Sequence, residues 1–123
     1  MTTFAEIYDY CMGKPGAEET FPFDERTLVF KVAGKMFALI DPEGIPPAMN
    51  LKCDPERAVA LREEYEAVEP GYHMNKTHWN TVTFDGSLPG PLAAELIDHS
   101  YGLVVASLPK RLRVELETSV GKG

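Results

Sequence analysis

Between Tyr72 and Val82 the chain reads YHMNKTHWNTV, its densest run of hydrogen-bonding and stacking side chains. In that run Trp79 can serve as a stacking platform, Lys76 can meet an anionic group, and Asn80 can donate and accept at once. His78 adds an imidazole to the same stretch. Recognition of a ligand or partner is the chemistry this combination suits. A packing role is open on equal terms, because a lone Trp in a small domain fills a core while nearby histidines cap backbone.

Catalytic constellations are harder to build. His73 and His78 stand five residues apart, which fits neither one helical face nor a zinc pair, and His99 is remote, so no metal is expected. Cys53 precedes Asp54 at a helix start, where the dipole lowers a thiol pKa, yet no base is paired with it. Ser100 has His99 beside it, but adjacent side chains on a helix do not face each other. The segment KVAGKMF lacks the glycine spacing of a phosphate loop. Neither an enzyme activity nor a cofactor is expected.

Charge restricts the partners. The 123 residues carry 12 Lys+Arg against 19 Asp+Glu, a formal net of −7 that opposes nucleic acid and anionic membranes. The excess is uneven. Residues 54–69 hold six acids against Arg57 and Arg62, whereas residues 70–114 hold Lys76, Lys110, Arg111 and Arg113 against three acids. Lys31, Lys35 and Lys52 add positive charge near a hairpin. A basic face opposite an acidic helix would permit phosphate contacts; solvated strand-edge lysines that discourage sheet association are the simpler reading. No apolar run approaches the ~20 residues of a membrane span. The start, MTTFAEIYDY, has no basic then apolar leader pattern, and two cysteines cannot form a disulfide framework. A cytoplasmic protein with reduced thiols is expected.

The elements that must position these groups follow from local signals. Thr3 and Glu6 have capping-box spacing ahead of a short helix that Gly13 stops. Lys14–Thr20 reads as a polar connection. Thr27–Ala33 and Met36–Ile40 alternate as strands about a turn at Gly34, and Ala48–Cys53 is a further strand. Asp54-Pro55 starts a helix whose stripe Ala58, Leu61, Tyr65, Val68 runs to Pro70-Gly71. Trp79–Phe84 is a strand, and a long helix from Pro91 is interrupted by Pro109, with a last turn around Leu112 and Leu116. The order points to one α+β domain over residues 1–123, its helices covering one side of a largely antiparallel sheet. A tail from about residue 118 is expected to lack order.

The runs PFDERTLVFKVAGKMFALID, NLKCDPERAVALREEYEAVEPGYHMNKTHWNTV, DGSLP and LIDHSYGLVVASLPKR together resemble the MmcQ/YjbR-like proteins. The likeness extends from about Phe21 to Arg111. It implies a CyaY-like, double-wing α+β fold: a curved antiparallel sheet packed by helices. It also implies a non-enzymatic, regulatory DNA-binding role by analogy of fold. The contacts would then be Lys31, Lys35, Lys76, His78, Trp79, Asn80, Lys110 and Arg111, and binding to DNA would be weak and salt-sensitive. No catalytic residues are carried over. The alternative expectation is a domain that binds a protein or a small ligand through the Tyr72–Asn80 loop and has no affinity for nucleic acid.

Overall fold

The computed structural model describes residues 1–122. Helix α1 (Phe4–Met12) opens with both halves of the capping box in place: the Glu6 N–H donates to Thr3 Oγ1 at 3.2 Å, and Glu6 Oε1 accepts the Thr3 N–H at 3.3 Å. Then come β1 (Ala17–Thr20), β2 (Leu28–Val32), β3 (Lys35–Ile40), β4 (Ala48–Lys52), α2 (Pro55–Glu64), β5 (Val68–Pro70), β6 (Trp79–Thr83), α3 (Gly90–Ala106) and α4 (Lys110–Lys122). The six strands form one sheet in the order β1-β2-β3-β4-β6-β5, antiparallel at every pairing. The α+β architecture expected from the sequence is the one observed.

Alternation along the strands separates the two faces. Leu28, Phe30 and Val32 of β2, Ile40 of β3, Met49 and Leu51 of β4 and Val82 of β6 join one core with Ile7 and Cys11 of α1, Ala58 and Leu61 of α2, and Leu96, Ile97 and Val104 of α3. Leu116 of α4 packs against the same core. All four helices therefore lie on one side. The opposite face carries only a small cluster, Val29, Leu39 and Trp79 with Met36 and Met74, and no helix of the described residues covers it.

Two element assignments need correction. Residues 17–20 are not a polar connection but edge strand β1, because Ala17 to Thr20 pair with Val32 to Val29. The stripe ending in Tyr65 and Val68 is not one helix. Helix α2 stops at Glu64, and Val68–Pro70 pairs with β6 as β5. A sheet edge supplied these residues with partners that helical spacing could not reveal. The β2–β3 turn needs positive φ at both central positions, so Ala33 (φ 50°) as well as Gly34 (φ 80°) is left-handed. Residues 118–122, expected without order, are the end of α4, and Gly123 lies outside the described residues.

Strand β3 also contains a bulge. Phe30 pairs with Ala38 and Lys31 with Met36, which leaves Phe37 as the extra residue. Its carbonyl accepts the hydroxyl of buried Ser100, on α3, at 2.5 Å. Ser100 Oγ in turn accepts the Lys52 N–H at 2.8 Å. The role of Ser100 is thus to bridge β3 and β4 just beyond Ala38 and Leu51, where their register pairs end.

Candidate functional site

The uncovered sheet face holds a cleft of about 610 Å³, lined by residues from two loops and the strands beneath. Leu39, Ala48, Asn50 and Thr81 belong to the strands; Phe23, Asp24 and Thr27 come from the β1–β2 loop, and Tyr72, His73 and Met74 from the β5–β6 loop. This size suits a small organic ligand.

The β5–β6 loop is held down by its backbone rather than by its exposed side chains. Asn50 and Thr81 are register partners across β4 and β6. Thr81 Oγ1 donates to Asn50 Oδ1 at 2.6 Å and accepts the Tyr72 N–H at 2.9 Å. Asn50 Nδ2 donates to the Tyr72 carbonyl at 3.2 Å, closing a three-residue ring of hydrogen bonds. The next residue, His73, sits at φ 58°, a left-handed conformation that costs a non-glycine residue about 1–2 kcal/mol. As a result the Tyr72 ring, 69% exposed, lies 4.0 Å from the His73 ring, centroid to centroid. Strain of this kind persists where the surroundings over-determine it, often at binding sites.

On the other wall, Phe23 is 64% exposed. Asp24 anchors its loop by accepting the N–H groups of Thr27 (2.6 Å) and Arg26 (2.8 Å). Those bonds, Thr27's first, hold the Asp24 carboxyl below the usual carboxylate range. Asp41 accepts Arg26 Nε at 3.0 Å and the Glu43 N–H at 2.9 Å.

The residues singled out from sequence are dispersed. Trp79 is 9% exposed and packs in the small cluster on the uncovered face, so its role is packing. Asn80 is 2% exposed and faces the helices. There it accepts Arg62 Nε at 2.6 Å and contacts the Ala58 carbonyl at 3.5 Å. Arg62 Nη2 also donates to the carbonyls of Lys76 and Trp79, bracing the β5–β6 loop from below. Lys76 turns its Nζ onto the Gly71 carbonyl at 3.0 Å. His78 is exposed, and its carbonyl accepts the Cys53 N–H at 2.8 Å.

The remaining cations do not join them. Lys31 occupies a register position on the uncovered face, opposite Glu18. Lys35 pairs with Val32 on the helix side and donates to Ser107 Oγ at 3.3 Å. Lys110 and Arg111 are exposed at the start of α4, close in sequence to Ser107. Lys35 therefore meets the residue that ends α3, three positions before Lys110, whereas Lys31 lies on the opposite sheet face and Lys76 in the β5–β6 loop.

Sequence reasoning missed Phe23, Asn50 and Thr81 as site residues. Only two signals could have found them: an aromatic between Pro22 and Asp24 in a loop, and polar residues at alternate positions of β4 and β6. No group of three or more His, Cys, Asp or Glu among the described residues could hold a metal. Burial pushes the Cys11 thiol up to about 12 and raises that of Cys53 as well, so both are poor nucleophiles. No described helix is long and apolar enough to cross a membrane.

Known proteins resemble most of this chain. The family model described as YjbR matches residues 12–103. The chain is 41% identical over 111 residues to the uncharacterized protein YjbR of Escherichia coli (strain K12), a match covering 90% of this chain and 94% of that protein. It is 39% identical over 97 residues to the uncharacterized protein YbdF of Escherichia coli O157:H7, covering 79% and 80%. Among solved structures, Deinococcus radiodurans DR2400, a DUF419 domain, superposes with a TM-score of 0.90 at 44% identity, covering 95% of this chain and 89% of that one. A Pseudomonas syringae protein superposes with a TM-score of 0.69 at 27% identity, covering 80% and 96%. With the family model spanning all six strands, α2 and most of α3, and the YjbR relative matched over 94% of its length, the chain belongs to the YjbR family.

Proposed function

We propose that the protein is a binding module that takes a small ligand in the cleft on its uncovered sheet face. The observation that carries this reading is the Asn50–Thr81–Tyr72 ring. It fixes the backbone of an exposed aromatic at the edge of a concave, mostly apolar surface, and pre-organised display of this kind favours binding. Nothing in the cleft resembles an activated nucleophile with a base beside it, which supports recognition rather than catalysis. The test is a titration of a small-molecule set followed by amide NMR. Binders should shift Leu39, Tyr72 and Thr81, and the double variant Phe23→Ala, Tyr72→Ala should abolish those shifts while keeping the dispersed spectrum. A set that moves none of these amides overturns the reading.

A second reading, weak DNA binding, has one supporting observation besides the resemblance of the fold. Lys35 donates to Ser107 at the C-terminal end of α3, three residues before Lys110 and four before Arg111 in the chain. Duplex binding at ~50 mM salt that disappears at a few hundred millimolar, and is lost in Lys35→Ala, Lys110→Ala, Arg111→Ala, supports it. No retardation of mixed-sequence duplex at micromolar protein removes it.

A further inference from the structure

We infer that the cleft selects an organic cation, an ammonium or guanidinium group carried on an apolar or aromatic body. The inference rests on the cleft being a binding site. Its charge inventory is one-sided: Asp24 and Asp41 are among the lining residues, and no Lys or Arg is. Arg26 already engages Asp41, whereas the groups that Asp24 accepts from are the uncharged Thr27 hydroxyl and the backbone N–H groups of Arg26 and Thr27. Among the described residues Asp24 therefore makes no ion pair.

The aromatic walls add to this preference. Phe23 and Tyr72 each expose most of their surface, and the electron-rich face of an aromatic ring attracts a cation within about 6 Å. Carboxylate and ring face act with the same sign. The lysine of the β5–β6 loop, Lys76, is committed to the Gly71 carbonyl and is not part of the lining, so it cannot offset them. An anionic ligand entering the cleft would lose hydration next to the Asp24 carboxylate, with no lining Lys or Arg to replace it. The field of the whole chain, net −7, also draws cations in and turns anions away. Leu39, Ala48 and Met74 give the apolar body of the ligand something to cover.

The test uses three ligands that share a phenyl body: phenethylammonium, the neutral 2-phenylethanol, and phenylacetate, each titrated at pH 7 and low salt with the amide shifts of Leu39, Tyr72 and Thr81 as readout. Phenethylammonium should bind about tenfold or more tightly than phenylacetate. Asp24→Asn keeps a side-chain oxygen for the Thr27 and Arg26 N–H groups. It should reduce that preference several-fold. Added salt should weaken only the ammonium in the wild-type protein, an arm that does not depend on how the variant folds. Equal binding of all three, or a preference for phenylacetate, overturns the cation inference and leaves the cleft as a site. If none of the three shifts these amides, the inference and the reading it rests on fall together.

Discussion

Thr81 Oγ1 donates to Asn50 Oδ1 at 2.6 Å from the position directly opposite across β4 and β6, and that hydroxyl also accepts the Tyr72 N–H. A cross-strand pair of polar residues thereby holds a loop that folds over the sheet. The exposed aromatics of the β5–β6 loop gain a fixed backbone without being buried themselves. Sheet register, loop path and the wall of the cleft are joined at one hydroxyl.

Thr81→Val preserves shape and strand propensity but removes that hydroxyl. Stability should fall by about 1 kcal/mol, the net worth of a partly exposed hydrogen-bonding group. The larger effect should be local, with hydrogen-exchange protection lost at Tyr72 and binding in the cleft weakened at least several-fold. Retained protection at Tyr72 would show that the loop is held without the Thr81 hydroxyl, by Asn50 and Arg62.

Ser100→Ala should be costlier. Ser100 is fully buried, and its loss leaves both the Phe37 carbonyl and the Lys52 N–H without the bonds they make to it. A loss of about 2–3 kcal/mol in denaturant unfolding is expected from the desolvation of these groups. A loss below about 0.5 kcal/mol would mean that the β3 bulge rearranges to pair them.

Ala33 occupies a left-handed position that Asn tolerates far better. Ala33→Asn converts the β2–β3 turn to Asn-Gly, the sequence most suited to this turn type. Stability should rise by about 1 kcal/mol. An unchanged or lowered unfolding midpoint would contradict the turn geometry described above.

His99 gives a pH dependence with a definite sign. Its Nε2 accepts the Asp54 N–H at 3.1 Å at the start of α2. Burial, and then the nearby Arg57 charge, hold its pKa below the ordinary 6.5, with Asp54 and Glu95 opposing. As pH falls through about 6.5 the unfolded chain takes up the proton first, so stability is full above that value and declines below it toward the lowered native pKa. His99→Gln should flatten this part of the stability profile relative to wild type. Parallel profiles from pH 7.5 to about 5 would rule the contribution out.

Much of the scaffold was legible because its determinants are local. The Thr3–Glu6 box, the Asp54-Pro55 start and the alternation of β2, β3, β4 and β6 each act within a few residues, so reading them in order recovers helices and strands. The resemblance to the family was legible for a related reason: motifs such as PGYHMNKTHWNTV record the same contacts whether or not their partners are known. Where a partner was distant the reading failed. Val68 looked helical because its strand partner, Val82, was not visible from spacing.

The site illustrates the same division. The sequence alone determined that the β5–β6 loop would concentrate polar and aromatic groups, and alternation determined that Trp79 and Asn80 would point to opposite faces. It could not determine which face the helices would cover. Tertiary packing decided that: α2 lies on the Asn80 side, so Arg62, eighteen residues earlier, takes the amide out of solvent, while Trp79 seals a small cluster on the other side. The proposed cleft is instead lined by Tyr72 and Phe23, whose backbone positions depend on bonds and loops closed across the sheet. Period-two spacing fixes relative orientation within a strand; only long-range contacts fix which side becomes core.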